Sequence, residues 1–165
     1  MVGEHAFRDL MAAVCAQVTI VTAAEDGPFG TTVSAFASLS LRPPMITVAL
    51  DRGSRLLEPV LRTRRFGVNV LGQGQEETAR LFAQRSANRF AAADWHYDHG
   101  LPRLSGAPAW LVCELARRCG AGTTCCCSAR SATPRPGPRR RSYTGTVPTA
   151  PIRASPLVHA ARSPT

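Results

Sequence analysis

Four short apolar runs constrain the fold most: Val18 to Thr22 (VTIVT), Met45 to Leu50 (MITVAL), Phe66 to Leu71 (FGVNVL) and Ala109 to Leu115 (AWLVCEL). They are rich in β-branched, aromatic and other apolar residues, long enough for a buried strand and short for a helix. Helical spacing lies before and between them. Phe7, Leu10, Met11, Val14 and Cys15 recur as on one face of an amphipathic helix. Leu56, Leu57, Val60 and Leu61 suggest a second, shorter helix, and Ala79, Leu81 and Phe82 give residues 75–83 helical character. Asp26-Gly27 reads as a turn, and Pro43-Pro44 interrupts the chain before the second run. The stretch after Ala83, to about Pro108, is polar and carries no clear period. Strands outnumber helices, which favours a mainly β or α+β domain over a doubly wound sheet.

A chain of 165 residues is expected to form one domain with a substantial core. No apolar run reaches eighteen residues, so no conventional membrane span is expected. The start, MVGEHAFRDL, has no basic segment leading into an apolar one, so the expected location is the cytoplasm. Charge divides the chain in two. All eleven acidic residues lie at or before Glu114, where eleven arginines balance them, whereas residues 117–165 carry nine arginines and no acid. That second part holds the entire net charge of +9, seven of the thirteen prolines and four of the six cysteines. The expected organisation is a folded domain over residues 1–116 and an Arg/Pro/Cys-rich tail over 117–165. The tail has too few large apolar residues to offset the entropy of ordering it.

Few constellations point to chemistry. Cys125-Cys126-Cys127, with Cys119 nearby, invites a metal-site reading, but adjacent cysteines rarely aim at one tetrahedral ion and no CxxC pair occurs. No metal site is expected, and a disulfide framework is equally poorly supported in a cytosolic setting. Arg139-Arg140-Arg141 could attract phosphates without specificity, yet Tyr143 is the tail's one aromatic residue and no reader motif is present. His5, His96, His99 and His159 are scattered, and no HExxH, nucleophile elbow, P-loop or GxGxxG appears. Cys15 and Cys113 lie in apolar segments and read as core residues rather than nucleophiles. No protein catalytic residue is therefore assigned. The segment from Gly30 to Pro44, GTTVSAFASLSLRPP, stands apart because it sets hydroxyls at Thr31, Thr32, Ser34, Ser38 and Ser40 among small residues. Such a segment can bring hydroxyls and backbone N–H groups close to a flat polar ligand, or it can be an exposed Ser/Thr-rich strand.

That segment resembles the flavin reductase family with the FMN-binding split-barrel fold, the small reductase components of two-component flavin-dependent monooxygenases. The resemblance rests on Gly30, Thr32, Ser34, Ala35, Ser38, Leu39, Ser40, Pro43 and Pro44. It continues through Asp51 and Ser54, Phe66 to Leu71 with Gln75, Ala79 to Phe82, Arg89-Phe90, Trp95, the Gly100 to Gly106 loop and Cys113-Glu114. It covers about residues 7–115. It implies a six-stranded antiparallel Greek-key barrel with short flanking helices, a homodimer, and binding of FMN or FAD with NADH or NADPH as hydride donor. By the resemblance, Thr32, Val33, Ser34 and Ala35 line the isoalloxazine ring, Ser38, Leu39 and Ser40 flank the ribityl chain, and Ser54 and Arg55 approach the phosphate. The implied activity is reduction of flavin for a partner monooxygenase, with no membrane or specific nucleic-acid partner. The alternatives are a flavin-binding split barrel without reductase activity, and a basic nucleic-acid-associated protein acting through its tail.

After Cys113-Glu114 the family pattern continues to a Gly-Asp-His, an apolar strand and a final Pro-Leu-Val, none of which is encoded here. Back-translation of Ala121 to Thr124 one base over allows Gly-Asp-His, and the cysteine run then becomes an apolar stretch. Arg140 to Thr144 yields Pro-Leu-Val-His in the same frame. The expectation is a single-base frameshift between about Leu115 and Gly120, leaving the C-terminal barrel strands missing.

Overall fold

A computed structural model describes residues 3–14, 16–84 and 89–132. Helix α1 (Glu4–Ala12) leads into β1 (Thr19–Ala24) and β2 (Pro28–Val33). Strands β3 (Phe36–Leu41) and β4 (Pro44–Asp51) follow, then α2 (Leu57–Thr63), β5 (Arg65–Val70) and α3 (Glu76–Ala83). A single 3-10 turn (Arg89–Ala91) precedes the short hairpin β6 (Trp95–Asp98) and β7 (Leu101–Leu104). The long hairpin β8 (Ala109–Ala121) and β9 (Thr124–Ser131) ends the described chain.

All four apolar runs fall in strands of one seven-stranded sheet ordered β2-β1-β5-β8-β9-β4-β3, and every pairing in it is antiparallel. The fold is mainly β, as expected, with one strand more in its main sheet than the six implied. The two edge strands, β2 and β3, are consecutive in the chain and joined only by Ser34 and Ala35. The sheet therefore curls so that its first and last strands meet, and a two-residue link spans the split that the hydrogen-bond ladder leaves open.

Alternation of side chains across the strands builds the inside. In β4, Ile46, Val48 and Leu50 are buried while Met45, Thr47 and Ala49 between them are half-buried. The inner cluster joins these to Val21, Val33, Phe66, Val68, Cys113 and Leu115, together with Leu56, just before α2, and Val60 within it. A second cluster covers the outer side of β1, where Val18, Ile20, Leu71, Phe82 and Leu104 pack with Phe90 and Trp95. Phe82, Phe90 and Trp95 meet in edge-to-face pairs with ring centroids 5.0 Å apart.

The expected break at residue 116 is corrected. Residue 116 lies inside β8, and residues 117–131 complete that strand and supply β9, where the composition suggested no regular structure and missing barrel strands. The physical reason is again alternation: Cys125, Cys127 and Ala129 face inward against β4, and three small side chains with little polarity suffice for a strand buried on one face. A bulge at Ala116, between the registered residues Leu115 and Arg117, adjusts β8 to β9. The arginine run at 139–141 and the rest of the tail from residue 133 lie outside the described residues, as does Cys15. The polar stretch before Pro108 also departs from the sequence reading, because it contains the β6–β7 hairpin.

Helix α1 forms where its period predicted, but buries none of its residues: Phe7, Leu10, Met11 and Val14 beyond its end are all exposed. No helix among the described residues is long and apolar enough to cross a membrane.

One polar side chain ties the layers together. Asn69 in β5 is fully buried, its amide N–H donates to the Ile20 carbonyl at 3.2 Å, and its Oδ1 accepts from the Leu104 amide at 2.8 Å. Replacing Asn69 with Leu leaves both backbone groups without that partner in a dry site. The expected cost is about 2 kcal/mol, measured as a lower urea midpoint at unchanged slope; an unaltered midpoint would show that water reaches both groups.

Candidate functional site

The hydroxyl-rich segment occupies the split in the barrel. Its first half is β2, whose Gly30 is pressed against aromatic side chains. A Cβ there would come within 2.9 Å of both Phe82 and Phe90, so any larger residue would push α3 and the 3-10 turn away from the strand. Thr32 fixes the same contact: its Oγ1 donates to the Ala79 carbonyl of α3 at 2.6 Å. Val33 points into the core at 6% exposure, so only its backbone can face a ligand. The link Ser34–Ala35 is exposed, with the Ser34 carbonyl accepting from the Phe36 amide at 2.9 Å and the Ala35 carbonyl from the Ala49 amide at 2.9 Å.

The second half is β3, paired with β4. Ser38 stands opposite Ile46, and Ser40 opposite Met45, with a register shift between them. Ser40 Oγ accepts from the Arg42 amide at 3.2 Å, and Leu39 is exposed. Ser38 lies three residues beyond Ala35, about 10 Å at the usual strand rise.

Ser54 and Arg55 follow the opposite, C-terminal end of β4, the end that Ala35 adjoins. A tight turn holds them there: Asp51 Oδ1 accepts from the Gly53 amide at 2.6 Å, and the Asp51 carbonyl accepts from the Ser54 amide at 3.0 Å. Ser54 Oγ accepts from the Leu56 amide at 3.3 Å, which leaves its hydroxyl proton to donate elsewhere. Leu56, directly after Arg55, is buried and anchors the turn. Among the described residues, Arg55 makes no ion pair of 4 Å or less.

Arg89 connects the two stretches and was not among the residues singled out for the site. Its Nη1 donates to the Gly30 carbonyl at 2.6 Å and to the Phe82 carbonyl at 3.1 Å. Burial, followed by the nearby positive charge of Arg55, lowers its pKa from the ordinary guanidinium value. The charge of Arg55 is thus felt at Arg89, and a hydroxyl next to a guanidinium, as in Ser54-Arg55, suits a phosphate. The signal available in the sequence was the Arg89-Phe90 pair, whose Phe packs behind Gly30 and whose Arg reaches its carbonyl.

The structure brings Ser34, Ala35, Ser54 and Arg55 to one end of the β3–β4 pair and sets Ser38, Leu39 and Ser40 farther along it, while Arg89 reaches β2 at the Gly30 carbonyl. A separate open cavity of about 570 Å³ lies beside α3, lined by Glu77, Thr78, Leu81, Ala92 to Asp94 and Leu104 to Gly106. It contains none of the predicted residues, and its two carboxylates suit an anionic ligand poorly.

Residues 11–133 match the model of the flavin reductase like domain family. The match passes the expected boundary at 116 and ends just after β9. The chain is 40% identical over 119 residues to the reductase component of a 4-nitrophenol 4-monooxygenase/4-nitrocatechol 2-monooxygenase from Rhodococcus opacus, covering 71% of this chain and 64% of that one. It is 38% identical over 141 residues to the FMN reductase (NADH) RutF of Enterobacter sp. (strain 638), covering 81% and 85% respectively. Two other curated relatives are spanned over only 37% and 60% of their lengths. Among solved structures, the NADH:FAD oxidoreductase SgcE6 of Streptomyces globisporus, in complex with NAD and FAD fragments, superposes with a TM-score of 0.75 at 30% identity, covering 78% of this chain and 79% of that one.

Proposed function

The chain belongs to the flavin reductase like domain family, and on that premise we propose that it is an NAD(P)H:flavin oxidoreductase, a cytoplasmic enzyme that supplies reduced flavin to a separate monooxygenase. The observation that carries this reading is the tight turn that sets Ser54 and Arg55 just past the end of β4, beside the Ser34–Ala35 link at the open split of the barrel. Flavin supplies the two-electron chemistry, taking hydride from a reduced nicotinamide, so the chain needs to bind and orient rather than attack. Ser54 would donate a hydroxyl hydrogen bond to a flavin phosphate, and Arg55 would supply compensating charge. Thr32, the Val33 backbone, Ser34 and Ala35 would line the isoalloxazine ring, and Ser38, Leu39 and Ser40 would flank the ribityl chain.

A second copy of this chain is the partner that suits α1, whose apolar face has no cover among the described residues. We also hold to a reading-frame shift near residues 115–120 as the origin of the arginine-rich, acid-free tail, since the family's Gly-Asp-His has no counterpart here. Without it, nicotinamide-dependent turnover should be poor.

Three measurements test these readings. Arg55→Gln should weaken FMN binding about tenfold, the order expected for a charge-assisted hydrogen bond, while riboflavin, which lacks the phosphate, should bind nearly as before; equal losses for both would remove the phosphate from Arg55. Oxidation of NADH or NADPH with added FMN or FAD should be slow in this chain and rise at least tenfold in a frame-restored version. Equal rates, or a gene read without interruption, would reject the frame shift, and flavin binding without nicotinamide oxidation in both would favour a non-reductase binding protein. Finally, the double substitution Leu10→Glu and Met11→Glu should convert a dimer to a monomer in light scattering; a wild-type chain that is already monomeric contradicts the paired state.

A further inference from the structure

The β8–β9 hairpin places cysteines in a pattern that the sequence alone could not reveal. Its two-residue turn, Gly122-Thr123, fixes the register so that Cys119 stands directly opposite Cys126. Residues facing each other in antiparallel strands share one face, with Cα atoms about 4.5–5.5 Å apart, inside the 4.4–6.8 Å range that a disulfide spans. Alternation sends Cys125 and Cys127 to the inner face and leaves Cys126 half-buried on the outer face, beside an exposed Cys119. Both thiols of the facing pair are free.

We propose that Cys119 and Cys126 are a redox pair that closes reversibly into an intrachain disulfide under peroxide. The Cys119 thiolate attacks hydrogen peroxide, forming an S–O bond as the O–O bond breaks and water leaves, which gives a sulfenic acid. The Cys126 sulfur then attacks the sulfenyl sulfur of Cys119; the S–S bond forms, the S–O bond breaks and a second water departs. Two thiols and one peroxide yield one disulfide and two waters, with two electrons passing from sulfur to oxygen. The remaining described cysteines compete poorly. Burial pushes the Cys113 thiol up to about 12, and burial, then the neighbouring Cys125, does the same to Cys127, so both stay protonated and unreactive near neutral pH. Cys125 is buried beside Cys127. The pair also has a local source of oxidant, and this clause alone rests on the proposed function: reduced flavin released into aerated solution reduces dioxygen to hydrogen peroxide. The pairing itself depends only on the hairpin register.

The test uses the purified full-length chain, reduced and then treated with a slight excess of hydrogen peroxide. Thiols are blocked with N-ethylmaleimide under denaturing conditions before intact-mass measurement. The expected result is a fall from six labelled thiols to four, a mass loss of two hydrogens, and full recovery with dithiothreitol. Cys119→Ser and Cys126→Ser should each retain all five remaining thiols, whereas Cys125→Ser should still lose two. Trypsin releases residues 119–130 as one peptide, so fragment-ion spectra of the wild-type peptide locate the bond without any variant. A two-thiol loss that persists in Cys119→Ser, a linkage mapped between Cys125 and Cys127, or irreversible sulfinic acid as the main product would each overturn the proposal. Loss of flavin binding with the disulfide still formed would count against the flavin reading alone.

Discussion

Side-chain alternation in one curled antiparallel sheet is the constraint on which the rest of the structure depends. It divides every strand into an inward set that fills the barrel and an outward set that meets helices, hairpins or solvent. Val48 is buried while Ala49 is half-buried, and Val33 is buried while Ser34, the next residue, is exposed. Because one residue of slip would exchange the two sets, the inner cluster of Val21, Val48, Phe66, Val68 and Cys113 holds the register on which the site relies. The buried Asn69 adds a polar tie among β1, β5 and β7 that apolar packing alone would not direct.

The candidate site follows from where this sheet fails to close. Strands β2 and β3 are the two edges, joined in the chain by Ser34–Ala35 but not paired with each other. The opening is kept rigid from behind by Gly30 against Phe82 and Phe90, by Thr32 on the Ala79 carbonyl, and by Arg89 on the Gly30 carbonyl. A site of the kind proposed, passing hydride between two flat ligands, would gain from such support, because positioning replaces protein nucleophiles in that chemistry.

Much of the domain was legible in the sequence for a simple reason: period and run length are local properties. VTIVT, MITVAL, FGVNVL and AWLVCEL all became strands, and residues 56–61 and 75–83 lie largely within helices or their first turns. Residues 117–131 form strands where composition suggested none, because composition counts large apolar residues, whereas β9 needs only Cys125, Cys127 and Ala129 on its inner side. The β6–β7 hairpin escaped notice because its strands, WHYD and LPRL, are too short to show a period. Arg89 went unassigned because its partners, Gly30 and Arg55, are distant along the chain.

By itself the sequence determined that this is a mainly β chain with short helices, a hydroxyl-rich segment between Gly30 and Pro44, and a sharp change of charge after Glu114. Local periods, residue types and motif spacing are sufficient for such statements, since none depends on which strands become neighbours. Only the tertiary structure decided that Arg89 reaches the Gly30 carbonyl, that Val33 turns inward while Ser34 stays open, and that Cys119 faces Cys126. Those are matters of strand order and register, set by how the whole sheet buries one face, and no single stretch of chain carries that information.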